Sequence, residues 1–264
     1  MAGPSVDHLA DLLRAFASGE RSPSVPRPAS TVVLLRDPGP EAYLLRRVRG
    51  MAFAGGMHVF PGGSVDPDDE DAQIGWAGPT PAEWGAWFGA DERLARALVC
   101  AAVRETFEEC GVLLAGPSPD ELLADVSSDE WEAERQALEA REQSLSQLLA
   151  RRGLVLRADL LRPLAHWITP EIEPKRFDTR FFLAEMPAGQ VCRHVGGEAD
   201  ERLWVRPADA LEQSLNMLPP TWTNLQALAE FPDVASALAA ERVIEPIAPK
   251  LVVHPDGRVE FRVQ

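Results

Sequence analysis

The feature that most constrains this chain is the segment 91–111, which ends in three glutamates and a glycine. Its apolar residues recur at helical spacing and Gly111 is a typical helix stop, so the pattern predicts a helix over 91–110. On that helix Glu105, Glu108 and Glu109 stand at positions i, i+3 and i+4 and share one face. The helix dipole disfavours negative charge at this end. The segment is therefore predicted to serve a function and not stability alone.

Carboxylates clustered in this way suit a divalent cation. Three such groups repel one another, and their pKa values rise unless a positive charge compensates them. Hard oxygen ligands at this spacing favour Mg²⁺ or Mn²⁺. The turn Phe60-Pro61-Gly62-Gly63 precedes the helix, and its glycines allow backbone groups to approach a metal or a phosphate closely. The alternative is a solvated acidic face, because runs of charge usually face water.

The two segments together resemble a known signature. Arg104-Glu-Thr-Phe-Glu-Glu-Cys-Gly-Val112 resembles the second half of the Nudix box, Gly-x5-Glu-x7-Arg-Glu-U-x-Glu-Glu-x-Gly-U with U aliphatic, and Thr106 is a mild departure at the first U. The Phe60–Gly63 turn resembles the first half. The resemblance implies the Nudix α/β/α sandwich, with a mixed curved sheet between helices. It also implies metal-dependent attack of water on a diphosphate inside a nucleotide derivative.

The spacing of the box departs from the compact pattern. Arg104 follows Gly63 by 41 positions, whereas the compact pattern allows 14. Residues 64–90 are therefore predicted to be an insertion inside the box. Counting eight positions back from Arg104 places the first box glutamate at Arg96, so the counterpart of that glutamate is expected to be displaced or lost.

A split box of this kind resembles the branch of the family that contains acyl-coenzyme A diphosphatases. Further stretches that resemble this branch are Gly56–Gly63, His166–Pro170, Arg176–Phe182 and Leu218–Thr221. The implied reaction converts coenzyme A or acyl-coenzyme A into 3′,5′-ADP and (acyl-)phosphopantetheine. Three alternatives stay open: a Nudix pyrophosphatase for nucleotide sugars, dinucleotides or oxidised nucleotides, a nucleotide-sensing module without turnover, and a helix-mediated scaffold without metal dependence.

The resemblance implies roles for individual residues. Glu105, Glu108 and Glu109 are the expected metal ligands, one of them a candidate to activate water, with the Gly62 carbonyl a candidate to complete the shell. Arg104 is expected to pair with a helix carboxylate and orient it. The remaining candidates are Arg46, Gly63, Arg176 and Arg180 as substrate contacts, with Glu198 or Glu201 as an additional acid or base. For the three arginines the alternative is ordinary surface charge.

Composition and charge limit the partners. The formal net charge of −15 makes the chain a poor candidate for binding nucleic-acid polymers or anionic membranes. No run of about 18 apolar residues is present, so no membrane span is expected. The three cysteines form no CxxC pair, which favours a reducing cytoplasm. The expected partner is a small nucleotide substrate, and a homodimer is left open.

The order of elements predicts the organisation of the chain. Residues 1–29 are expected to form an N-terminal helix and a Pro/Ser-rich arm, and residues 30–264 a domain with insertions at about 64–90 and 115–152. Thr80-Pro81-Ala82-Glu83 has the form of a capping box and predicts a helix start. Residues 129–151 are expected to be strongly helical, and their seven-residue apolar stripe predicts core or dimer packing. Helices and strands do not alternate regularly, so a doubly wound parallel sheet is not indicated.

Overall fold

A central mixed sheet organises the fold. The computed structural model of the chain describes residues 14–16, 18–51, 54–193, 199–213, 215–254 and 259–262. The strands within these residues are β1 (Arg27–Arg36), β2 (Glu41–Arg47), β3 (His58–Val59), β4 (Gly62–Ser64), β5 (Trp76–Ala77), β6 (Ala115–Gly116), β7 (Val155–Arg157), β8 (Leu161–Ile168), β9 (Phe177–Glu185), β10 (Ala199–Val205), β11 (Pro246–Ile247), β12 (Lys250–Val253) and β13 (Val259–Arg262).

The eight-stranded main sheet runs in the order β10-β2-β1-β9-β8-β11, with β3 added to β2 and β4 added to β1. Strands β1 and β9 pair in parallel, as do β8 and β11, and the other pairs are antiparallel. This arrangement confirms the expected mixed sheet. The remaining described strands form a three-stranded sheet, β5-β7-β6, and the hairpin β12-β13.

Helices cover both faces of the main sheet. The α-helices are α1 (Pro81–Phe88), α2 (Glu92–Cys110), α3 (Asp129–Glu139), α4 (Leu145–Arg152), α5 (Pro207–Glu212), α6 (Pro219–Leu228) and α7 (Val234–Ala239). The predicted caps are present: the Thr80 hydroxyl accepts a hydrogen bond from the backbone N–H of Glu83, and Gly111 ends α2 in the left-handed conformation. Among the described residues, no helix has both the length and the apolar character needed to cross a bilayer.

Alternation along the strands divides the apolar residues between two cores. Val32 and Leu34 of β1 pack in the core that contains α2. Val33 and Leu35 pack in the core that contains α6 and α7. Because successive strand residues point to opposite faces, a continuous apolar run buries both faces of the sheet. These two cores give the α/β/α sandwich that the resemblance to the Nudix family implies.

The segment 64–90, predicted as an insertion, is built into the domain. Its helix α1 buries Trp84 and Phe88, which pack against Phe182 of β9 with ring centroids 5.3 and 5.1 Å away. Aromatic groups of this size contribute a large share of core stability. The segment is therefore part of the main core on the α2 side of the sheet.

The strong helical character predicted for 129–151 is confirmed, and the structure divides it into two helices separated at 140–144. Ser144 begins α4 with a capping box that Gln147 completes, a signal that the sequence already carried. Leu138 and Leu145 of the predicted stripe are buried in the core. The expected N-terminal helix falls largely on residues 1–13 and 17, which lie outside the described residues.

Candidate active site

Helix α2 presents its acidic end to a cleft beside the sheet. Asp91 caps the start of the helix by accepting a hydrogen bond from the backbone N–H of Leu94. The Ser30 hydroxyl of β1 donates to the Leu98 carbonyl at 2.6 Å and ties the buried helix face to the sheet. This anchoring fixes the direction in which the C-terminal glutamates point.

The glycine turn lies directly against those glutamates. The Gly62 N–H donates to Glu109 Oε2 at 2.7 Å. A Cβ atom on Gly63 would lie 2.6 Å from Cδ of Glu105, so only glycine permits this approach without displacing the carboxylate. The two halves of the box are therefore in contact, although 41 positions separate Gly63 from Arg104.

Arg104 is the centre of a buried ionic cluster. Its Nη1 donates to Glu105 Oε1 at 2.8 Å and lies 3.3 Å from Glu108 Oε2. Its Nε and Nη2 donate to the two carboxylate oxygens of Asp69 at 3.0 and 2.9 Å. Nη2 also donates to the Ser64 carbonyl at 3.0 Å. Arg104 thus holds two helix glutamates in place and links them to the glycine turn.

Asp69 occupies the position of the first box carboxylate, which was expected to be displaced or lost. The pattern Gly-x5-Glu, counted forward from Gly63, reaches position 69, and the structure places the Asp69 carboxylate on Arg104. Counting backward from Arg104 reached Arg96 because the extra residues follow Asp69 and do not precede it. A forward count from the glycine would have identified this residue, with aspartate in place of glutamate.

The cluster carries more negative than positive charge when its carboxylates are ionised. Burial and the nearby charge of Glu105 raise the pKa of Glu108 to about 7. Burial also raises the pKa of Glu105 and of Asp69, although Arg104 opposes both shifts. Burial works against the charge of Arg104, but its bond to Asp69 and the charges around it raise its pKa overall. One guanidinium therefore serves three carboxylates, and an additional cation would stabilise the ionised cluster.

The donor set fits Mg²⁺ or Mn²⁺. Three glutamates offer hard oxygen ligands beside a cradle that a Cβ on Gly63 would fill. Within the described ranges, no three acidic, histidine or cysteine side chains already surround a common point. Arg104 contacts both Glu105 and Glu108, so these carboxylates would need to rotate away from the guanidinium to share one ion.

The cleft beside the glutamates has a volume of about 540 Å³, within the range of small-molecule sites. Its acidic wall carries Glu105, Glu108 and Glu109, and its floor carries Gly62 and Gly63. Four further cationic side chains line it: Arg47, Arg141, Lys175 and Arg202. Such a mixture of acidic and basic walls suits a ligand with several negative charges bound together with a metal.

Arg46 lies on the opposite face of β2 from the cleft. Its guanidinium contacts Asp200 at 2.8 Å and Glu201 at 2.6 Å. The next residue, Arg47, lines the cleft instead, because successive strand residues alternate between faces. Glu201 is occupied by Arg46 outside the cleft lining, and Glu198 lies outside the described residues.

The structure does not place Arg176 or Arg180 in the cleft lining either. Arg176 donates to two backbone carbonyls, those of residues 169 and 24. Arg180 is buried and paired with Asp178, on the face of β9 opposite to Thr179. Thr179 and Phe177 line the cleft. Arg176 and Arg180 were predicted as substrate contacts because of their charge alone. Strand alternation, however, determines which residues reach the cleft.

Comparisons with known proteins agree with this geometry. A family model described as the NUDT19 Nudix domain matches residues 91–228. A crystal structure of a Nudix hydrolase from Alicyclobacillus acidocaldarius superimposes with a TM-score of 0.68 and 31% identity, covering 83% of this chain and 98% of that protein.

Curated relatives are more distant in sequence. The chain is 28% identical to the acyl-coenzyme A diphosphatase NUDT19 of Gallus gallus, over 83% of this chain and 67% of the relative. It is 27% identical to the protein of the same name from Homo sapiens, over 78% of this chain and 65% of the relative. The chain spans between 60% and 68% of the length of the curated relatives it matches.

Proposed function

The chain belongs to the Nudix hydrolase family, and we propose that within it the protein hydrolyses the diphosphate of coenzyme A or acyl-coenzyme A. The products would be 3′,5′-ADP and (acyl-)phosphopantetheine. The observation that carries this proposal is the cluster of buried Arg104 and Asp69 with half-buried Glu105 and Glu108, beside a cleft that also holds separate cationic side chains. The substrate is suggested by the relatives named acyl-coenzyme A diphosphatases.

We assign the metal to Glu105, Glu108 and Glu109, with the Gly62 carbonyl as a further donor. An Mg²⁺ or Mn²⁺ held there would neutralise charge on the diphosphate and lower the pKa of a water molecule that it binds. Arg104 keeps Glu105 and Glu108 on the cleft side of the helix, because its other donors are fixed by Asp69.

Glu108 is our candidate for accepting a proton from the attacking water. It faces the cleft, and its contacts with Arg104, at 3.3 and 3.4 Å, are longer than those of Glu105. Glu109, by contrast, accepts the Gly62 N–H at 2.7 Å and stabilises the turn. The different hydrogen bonding of the glutamates therefore favours different roles for them.

Arg47 and Arg202 are our candidates for binding the diphosphate from the sheet side. They lie on the paired strands β2 and β10, and both line the cleft. Arginine suits this task because its planar guanidinium can donate two hydrogen bonds to one phosphate group. They replace Arg46, Arg176 and Arg180 as the proposed substrate contacts.

A substrate panel tests the proposal. Coenzyme A, acetyl-coenzyme A, ADP-ribose, NADH and 8-oxo-dGTP would each be incubated with Mg²⁺, Mn²⁺ or chelator, and the products separated by chromatography. Glu108→Gln removes the proposed ligand and base. Glu92→Gln is the matched control, because Glu92 lies on the same helix but is 65% exposed and outside the cleft lining.

The expected result is metal-dependent formation of 3′,5′-ADP from coenzyme A by the wild type and by Glu92→Gln. For Glu108→Gln we expect a loss of about 100-fold or more in kcat, as is typical when a group aligned with the reacting centre is removed. Turnover of a different panel member alone would overturn the coenzyme A assignment. Coenzyme A hydrolysis that persists with chelator would overturn the metal assignment.

A further inference from the structure

Arg141 occupies an unusual backbone position at the mouth of the cleft. It follows helix α3 with a φ of +59°, in the left-handed region. Its N–H donates to the Leu138 carbonyl and the Glu142 N–H donates to the Ala137 carbonyl, both at 2.8 Å. Glycine is the ordinary residue at such a helix end, because a side chain is strained there. An arginine at this position therefore points to a use for its side chain.

The side chain of Arg141 bridges the cleft mouth. Its Nη2 lies 3.1 Å from Oδ1 of Asp66, and both residues line the cleft. Arg141 is 76% exposed, and an exposed ion pair of this kind is weak. A more highly charged anion, such as a phosphate monoester, can therefore take the place of Asp66 on the guanidinium.

The cationic side chains of the cleft stand on separate walls. Arg47 and Arg202 belong to the sheet and Lys175 directly precedes β9, whereas Arg141 belongs to the inserted segment between α3 and α4. The acidic end of α2 belongs to a third element of the lining. A substrate that matches this distribution carries a second phosphate, separate from the diphosphate that the metal and the sheet arginines would bind.

We infer that Arg141 is a specificity-determining residue that binds a phosphate monoester on the nucleotide, leaving Asp66 when the substrate enters. This inference rests on the proposed function, because it assigns a second subsite to the same cleft. It gives the 115–152 insertion a role in substrate choice. In coenzyme A the phosphate monoester is the 3′-phosphate of the ribose.

The experiment compares coenzyme A with dephospho-coenzyme A, which lacks only that phosphate. Arg141→Gly removes the side chain and relieves the backbone strain, and Arg141→Lys keeps the charge. Arg93→Ala is the matched control, because Arg93 is also 76% exposed and paired with one carboxylate, but lies outside the cleft lining. KM and kcat would be measured for both substrates, together with the thermal unfolding midpoint of each variant.

For Arg141→Gly we expect a rise of about 10-fold to 100-fold in KM for coenzyme A, the range for a lost charged hydrogen bond. KM for dephospho-coenzyme A and both kcat values should stay within about twofold of the wild type. A twofold change corresponds to less than half of the free energy of a tenfold change. Arg141→Lys should recover part of the lost affinity. The unfolding midpoint of Arg141→Gly should equal or exceed that of the wild type, which excludes misfolding as the cause.

Equal losses on the two substrates, or no loss on either, would overturn the inference. If the wild type hydrolyses neither substrate, the proposed function fails, and calorimetric binding of 3′,5′-ADP and 5′-AMP then tests the subsite without turnover. Tighter binding of 3′,5′-ADP by the wild type, abolished in Arg141→Gly, would support the subsite. Equal binding of the two nucleotides would reject it.

Discussion

Replacing Glu108 by glutamine should stabilise the metal-free protein while it removes activity. In the folded state Glu108 is half-buried beside Glu105, and its pKa rises from an ordinary value of 4.5 to about 7. Its ionisation therefore opposes folding. Glutamine has nearly the same shape and carries no charge, so the substitution removes this cost without opening a cavity.

The pKa of Glu108 sets the size and the pH window of the effect. The change from 4.5 to about 7 corresponds to about 3 kcal/mol of unfolding free energy, at 1.36 kcal/mol for each pKa unit. The folded state binds this proton more tightly than the unfolded state, so stability is lost as pH rises from 4.5 to 7 and is constant above that range. Lost contacts with Arg104 reduce the gain, so about 3 kcal/mol is an upper bound.

Urea denaturation at several pH values between 5 and 8, in the presence of chelator, measures the effect. We expect the advantage of Glu108→Gln over the wild type to be largest at pH 8 and to shrink towards pH 5. Adding Mn²⁺ should stabilise the wild type and change the variant less, because a bound ion stabilises only the state that holds it. A variant that is less stable than the wild type at pH 8, or a difference that does not vary with pH, would refute the reasoning.

Two further predictions concern the turn and its link to the helix. Gly62→Ala should lower stability by about 1–3 kcal/mol because its Cβ would meet strand backbone, whereas Gly63→Ala should keep stability and lower activity because its Cβ would displace the Glu105 carboxylate. Thermal unfolding and kcat would separate the two variants, and equal effects would contradict the difference. Asp69→Ala should cost about 3 kcal/mol or more, because it leaves Arg104 with unpaired buried donors. A loss below about 1 kcal/mol in urea titrations would contradict the buried pairing.

The sequence was informative where one local rule determines the outcome. The helix over 91–110 and its acidic face follow from periodicity and from Gly111 as the stop, and the structure contains that helix at Glu92–Cys110. Burial of both faces of β1 follows from its continuous apolar run. The α/β/α architecture followed from the resemblance, and the two cores confirm it.

Residues that act across elements were harder to predict. Arg46 and Arg47 carry the same charge, and only the pairing of β2 with β10 determines which of them reaches the cleft. The role of Arg141 could not be predicted from the sequence, because it depends on the break between α3 and α4 that the structure shows. Charge can be read from a sequence position by position, whereas the direction of a side chain depends on strand register and helix ends.

The split box shows why the insertion does not disturb the acidic cluster. Asp69 binds Arg104 and the neighbouring Glu70 pairs with Arg93, so the start of the inserted segment is held beside helix α2, and its other end leads directly into that helix. Between these ends, Trp84 packs into the main core independently of the glutamates. Loop-closure entropy grows slowly with loop length, so a longer connection adds little cost once its ends are fixed. The geometry of the cluster thus depends on the contacts at the start of the insertion and on helix α2, and not on the number of residues between them.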